Sequence, residues 1–142
     1  MNGRIKQLSI VFTVAFFFNL AWENAHSYFY TSYRGGVITE WILVRAALFD
    51  ALVILVAAIL YLWVRPFRRR LDITLCSLFV FAIGLELFAL ATSRWNYSSW
   101  MPTLPCIAVG ITPVIQLAFL GYLSFRFSGF LKSDGAHYYI KQ

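Results

Sequence analysis

Charge is scarce in this chain. Only 13% of its 142 residues are Asp, Glu, Lys or Arg, and just six of those are acids. A soluble domain this short with so few charged groups would leave much apolar surface in water, so a water-soluble globule is excluded. Cysteine is also scarce: Cys76 and Cys106 sit in different apolar stretches, with no CxxC spacing and no neighbouring histidine. No metal site and no disulfide framework are expected, and both thiols should be free. The two histidines, His26 and His137, are too far apart in the topology derived below to ligate one haem. Walker, HExxH, Gly-rich dinucleotide and haem-attachment motifs are missing, as is any Ser-His-Asp order, so no cofactor is expected. Short alternating strands with regular turns are missing too, which excludes an outer-membrane barrel. The net charge of +6 forms no basic stripe on a soluble fold, so nucleic acid is not expected as a partner.

What the chain does have is apolar length. Hydrophobic residues make up 61% and aromatics 19%, and the mean hydropathy is +0.70. A hydrocarbon core of about 30 Å takes about 20 helical residues. Four apolar runs predict transmembrane helices over about 8–25, 41–64, 73–91 and 105–125. The first has a basic leader, Arg4 and Lys6, which also fits a signal peptide, but continues into Asn19, Trp22, Glu23 and His26 without a convincing small-x-small cleavage site, and reads as a mature helix. The fold class is therefore all-α, a polytopic four-transmembrane-helix bundle, with residues 1–142 as a single membrane domain.

Nine of the twelve Lys and Arg residues fall in the leader, in the loop 65–72 and in the tail 126–142; only Arg34 and Arg94 occupy the other two loops, and Arg45 lies just inside the second helix. The positive-inside bias makes both termini and the basic loop cytoplasmic, as in a multi-pass protein of a bacterial inner membrane. Trp41, Trp63, Trp95, Trp100, Tyr28, Tyr30, Tyr33 and Tyr61 cluster near helix ends, where amphipathic rings favour the headgroup layer.

Ionisable residues inside lipid are costly, about 2.5 to 3.5 kcal/mol each on insertion scales, so each calls for a partner or a task. Asn19, Glu23 and His26 are spaced by four and three residues and share a helix face, where they can bond in series. Arg45 enters the second helix about one turn below the outer surface, Asp50 lies about nine residues into it, and Glu86 lies about thirteen residues up the third. Gln116 falls about eleven residues into the fourth, after Pro113, which reads as a kink. Turned toward one axis, these residues would form an outer-leaflet pocket walled by Phe, Trp and Tyr. In that pocket Glu23, Asp50 and Glu86 are candidate catalytic acids. Asn19, His26, Arg45, Arg94, Trp95, Tyr97 and Gln116 are candidate substrate-binding residues. Arg45 can pair with only one or two acids, which leaves another as a candidate proton donor. The plainer alternative is that Arg45 neutralises Glu23 or Glu86 while Asn19 and Gln116 act as interhelical glue.

Asn19-Leu20-Ala21-Trp22-Glu23, followed by Leu48-Phe49-Asp50 in the next helix, resembles the N-x-x-W-E and L-x-D elements of integral-membrane terpene cyclases. That resemblance implies Glu23 as the acid that protonates an epoxide or alkene. Glu86, Arg94-Trp95-Asn96-Tyr97 and Gly110-Ile111-Thr112-Pro113 together resemble the acid, aromatic-x-Tyr and Gly-x-x-Pro layout of carotenoid hydratases and cyclases. The chain departs from the second pattern at Gln116, where an acid is expected, and from the first in having four helices rather than about seven, so the pocket would be partial without a homo-oligomer. Two functions are open at this point. One is an acid-catalysed cyclase or isomerase acting on a hydrophobic prenyl or isoprenoid lipid. The other is a noncatalytic small subunit or assembly factor of a larger membrane complex.

Overall fold

The computed structural model describes residues 3–131. Most of the expected tail, with Lys132, His137 and Lys141, lies outside the described residues. Four helices run in order: α1 (Gly3–His26), α2 (Glu40–Trp63), α3 (Leu71–Ala91) and α4 (Ile111–Phe127). The first three are long and apolar enough to cross a membrane, whereas α4 has 17 residues. At about 1.5 Å per residue α4 reaches about 25 Å.

Two boundaries differ from the sequence expectation. Helix α1 begins at Gly3 rather than near residue 8, because Arg4, Lys6 and Gln7 are sound helix formers that extend it past its apolar run. Helix α4 begins at Ile111 rather than 105. Pro102 and Pro105 interrupt the segment before it, which folds back so that Leu104 N–H donates to Val109 C=O at 2.8 Å and Thr103 bridges Gly110. Pro113 is then the third residue of α4, in the first turn, where an N–H has no helical partner to lose. It starts the helix and does not kink it.

The two loops that follow α1 and α3 meet. Strand β1 (Tyr30–Tyr33) pairs antiparallel with β2 (Trp95–Tyr97), with Tyr30 opposite Tyr97 and Tyr33 opposite Trp95. Beyond β1, Arg34 and Gly35 both take positive φ, 49° and 74°, and Tyr33 and Gly36 exchange backbone hydrogen bonds across them. That is the tight turn for which a glycine at the second central position is suited. This pairing sets one end of the bundle, here the hairpin end. At the opposite, basic end the Arg4 guanidinium lies 5.8 Å from the Trp63 ring and Gln7 Nε2 donates to Gly129 C=O at 3.4 Å. The ends of α1, α2 and α4 that carry most of the positive charge therefore come together.

Helix α1 packs on α2 and α4, and α3 packs chiefly on α4, so α1 and α3 sit diagonally. Small residues allow the close approach expected of apolar helices in lipid. Ala47, Ala51, Ile54 and Ala58 form a buried line on α2, and Val11, Ala15 and Asn19 form one on α1. Gly121 of α4 faces Leu78 of α3 so closely that a Cβ there would lie 2.8 Å from Leu78 Cδ1. The half near the basic end is filled by side chains, including Leu78, Leu120 and a ring cluster of Tyr61, Phe125 and Phe130. Ser9, Thr74 and Ser77 bond back to the carbonyl four residues earlier, as their helical positions suggest.

Candidate functional site

The other half of the bundle is hollow. A cavity of about 480 Å³ opens near the hairpin end, within the range typical of small-molecule sites. Helical spacing builds its walls: Ile42, Arg45, Phe49 and Asp50 from α2, Ala82, Leu85, Glu86 and Ala89 from α3, and Pro113, Gln116 and Leu117 from α4. Glu23 enters from α1, Ser27 from the turn just after it, and Tyr30, Tyr33, Arg94 and Trp95 from the paired strands and the residue before β2. Apolar side chains predominate, and three carboxyls interrupt them.

The first polar group centres on Gln116. Its Nε2 lies 2.7 Å from Glu23 Oε1, 2.8 Å from Asp50 Oδ2 and 3.1 Å from Asn19 Oδ1. An amide nitrogen has two hydrogens, so the two shorter contacts take them and Asn19 shares one at longer range. The Glu23 and Asp50 carboxyls therefore meet at one nitrogen, each within hydrogen-bonding distance of it. The second group centres on Glu86, whose Oε2 accepts from Trp95 Nε1 at 3.2 Å and from the Tyr97 hydroxyl. Tyr97 O in turn accepts from Gly110 N–H at 3.0 Å. Burial first, and the Glu86 hydrogen bond next, push the Tyr97 hydroxyl well above its ordinary range, so it stays a donor. Burial and the neighbouring carboxyls, Glu86 first, do the same to Tyr30, which meets Trp95 edge-on and Tyr97 at a tilt.

The expected acids Glu23, Asp50 and Glu86 thus reach one cavity, together with Arg45, Arg94, Trp95 and Gln116. Asn19, His26 and Tyr97 stand behind its wall. His26 is 4% exposed and its Nε2 lies 2.6 Å from Thr112 Oγ1, tying the end of α1 to the start of α4. Asn19, Glu23 and His26 do share a face, but each bonds across to α4, and Asn19 Nδ2 donates to Ala15 C=O rather than along the series. Trp22 turns to Phe119 of α4, and its buried Nε1 has no hydrogen-bond partner among the described residues.

Arg45 corrects the sequence expectation. It is exposed at the rim, and no ion pair joins it to Glu23, Asp50 or Glu86. Arg45 and Asp50 are five residues apart, about 140° around the helix, so burial of Asp50 turns Arg45 outward. Gln116 also lies in the second turn of α4, nearer the hairpin end than expected, because the helix starts at Ile111.

Tyr30, Ile42, Phe49, Leu85 and Phe88 line the cavity without having been singled out as binding residues. Tyr30 follows the end of α1, where helical periodicity carries no signal. For the apolar residues, lipid-facing and cavity-facing side chains look alike in sequence. Cys76 and Cys106 are exposed free thiols, and Cys106 lies in the turn before α4 rather than within it. Among the described residues no group of three or more His, Cys, Asp or Glu side chains is placed to hold a metal ion. Compared with protein families, curated proteins and solved structures, the chain matches none.

Proposed function

We propose that the chain is a four-span protein of the bacterial inner membrane, with its basic end cytoplasmic, that isomerises or cyclises a prenyl or isoprenoid lipid by acid catalysis. One observation carries this reading: the Glu23 and Asp50 carboxyls meet at the one side-chain nitrogen of Gln116 in the wall of a largely apolar cavity, and neither forms an ion pair among the described residues. Had the buried polar residues been only structural glue, the acids would be expected to close on Arg45 with no space between them.

The chemistry is balanced without a cofactor. A proton carried by Glu23 or Asp50 passes to a terminal alkene carbon, whose π electrons form the new C–H bond and leave a tertiary cation. The π pair of the next alkene closes a C–C bond onto that cation. Loss of a neighbouring proton to the carboxylate restores the acid, and the product is an isomer of the substrate. Tyr30, Phe49, Phe88 and Trp95 supply ring faces in the same cavity, which suit a travelling positive charge. Gln116 holds both carboxyl groups in position.

The test uses purified full-length protein in detergent with farnesyl and geranylgeranyl alcohols, acids and phosphates, run in deuterated water. The expected product is a cyclic or double-bond isomer with one carbon-bound deuterium. Glu23→Gln and Asp50→Asn abolish it while leaving the melting temperature near that of the native chain. Absence of any isomer from this panel, or variants that lose turnover only in proportion to folded protein, would refute acid catalysis. The second outcome favours a noncatalytic subunit.

A further inference from the structure

We infer that the cavity takes a single-chain amphiphile with an anionic head, its carboxylate or phosphate held at the mouth by Arg45 and Arg94 and its apolar chain directed toward Glu23 and Asp50. The inference rests on the reading of the cavity as a prenyl-lipid site and specifies the head group that site selects.

Both arginines line the cavity, Arg45 from α2 and Arg94 from the segment that follows α3. Arg45 is in the second turn of α2, and Asp50 lies about 7.5 Å farther along the same helix. Arg94 follows the end of α3, while Glu86 is more than a turn back inside it. The cations therefore occupy the mouth, and the carboxyls lie deeper. Neither arginine meets a carboxylate among the described residues, although three carboxyls share the cavity. The reason is local: Glu86 is engaged by Trp95 and Tyr97, and Glu23 and Asp50 by Gln116. Two guanidinium forks suited to planar or tetrahedral oxyanions are left without a counter-charge beside an apolar cavity.

Arg94 is also held in position. Its N–H donates to Ala89 C=O at 2.8 Å, its C=O accepts from Arg34 N–H at 2.7 Å, and its guanidinium lies 5.1 Å from the centre of the Phe88 ring, itself part of the wall. From mouth to base the sequence of surfaces is cationic, apolar, acidic. An anionic amphiphile matches that order head first. A cationic ligand would have to pass two like charges to reach the acids.

The test is a binding titration of full-length protein in a nonionic detergent, read by tryptophan fluorescence, with geranylgeraniol, geranylgeranoic acid and geranylgeranyl phosphate. The acid and the phosphate should bind about tenfold or more tightly than the alcohol, as charge-assisted contacts imply. Arg45→Gln and Arg94→Gln should each shrink that preference, and the double variant should erase it without weakening alcohol binding. Arg45→Lys and Arg94→Lys, which keep the charge but lose the fork, should retain part of it. Dioleoyl phosphatidic acid, the same head on a two-chain membrane lipid, should show no arginine-dependent advantage over dioleoylglycerol. Equal affinity for alcohol and anions, a preference that survives in the double variant, no binding of any probe, or an equal advantage for phosphatidic acid would each overturn the inference. Its failure is separable from that of the catalytic reading. Native protein that prefers anions but forms no isomer refutes catalysis and leaves the head-group site standing, whereas isomer formation without head-group preference does the reverse.

Discussion

The carboxyl of Glu23 on α1 and the carboxyl of Asp50 on α2 both accept from the single side-chain nitrogen of Gln116 on α4, at 2.7 and 2.8 Å. Three helices are thereby tied at one level of the bundle, just where the packed half gives way to the cavity. Buried polar networks are strong when every member is satisfied and costly when one is lost. The same atoms that would hold the reactive proton also hold the helices together, and the consequences can be separated by choosing which partner to change.

Gln116→Leu keeps the volume but removes the donor shared by Glu23, Asp50 and Asn19. Stability should fall by about 1–3 kcal/mol, the cost of leaving buried polar groups unsatisfied. Ile115→Leu on the exposed side of the same helix should be nearly neutral. Thermal melts in detergent compare the two. Equal losses would mean that the Gln116 contacts contribute nothing beyond packing.

Tyr97→Phe deletes one donor to Glu86 and the acceptor for Gly110 N–H. The expected result is loosening confined to the hairpin end. Hydrogen exchange should quicken at Ser98, whose N–H donates to Phe29 C=O, and at Arg34, whose N–H donates to Arg94 C=O. Amides in the middle of α2 should be unchanged. Uniform acceleration across the bundle would show that Tyr97 supports global stability rather than the hairpin.

Tyr30 and Tyr97 both favour their neutral forms in the fold, through burial first and Glu86 next. The sign follows from linkage: a phenol raised above its ordinary value near 10 contributes stability that is complete below that pH and declines as pH rises beyond it. Melting temperature should therefore drop above about pH 10, and Tyr30→Phe and Tyr97→Phe should each remove part of the drop. In a spectrophotometric titration of the folded protein these two tyrosines should ionise only above about pH 10. Loss of tyrosinate absorbance from either variant at pH 10 would contradict the assignment.

Reporters inserted at Gly36 and at Ser99 should give the same side of the membrane, because β1 and β2 join their loops. A reporter at Arg69 should give the opposite side, which by the positive-inside bias should be the cytoplasmic one. A split result between Gly36 and Ser99 would break the up-down alternation of the helices.

Helix number and type were legible from the apolar runs alone, because backbone groups in lipid must bond within the segment and 18 or more apolar residues leave few other choices. The shared face of Asn19, Glu23 and His26 was legible for a similar reason: 3.6 residues per turn is a local property. So was the assembly of acids near one end, since the depth of each follows from its distance to a helix terminus. The start of α4 was misread because Pro102, Pro105 and Gly110 act within an apolar stretch that hydropathy treats as continuous.

Tertiary structure alone decided who bonds with whom. The rotation of α2 about its axis is set by the buried line of Ala47, Ala51, Ile54 and Ala58, and it brings Asp50 inward to Glu23 while Arg45 turns to the rim. Glu86 could have met either group of partners, and the β1–β2 pairing delivered Trp95 and Tyr97 to it. Whether the polar half closed or stayed open was likewise a matter of packing, since it depends on how far α3 stands from α2 once α4 has docked on both α1 and α3. Composition and period determine which elements form and which residues share a level. The interhelical distances and rotations that turn a level into a cavity are non-local, and only the folded chain specifies them.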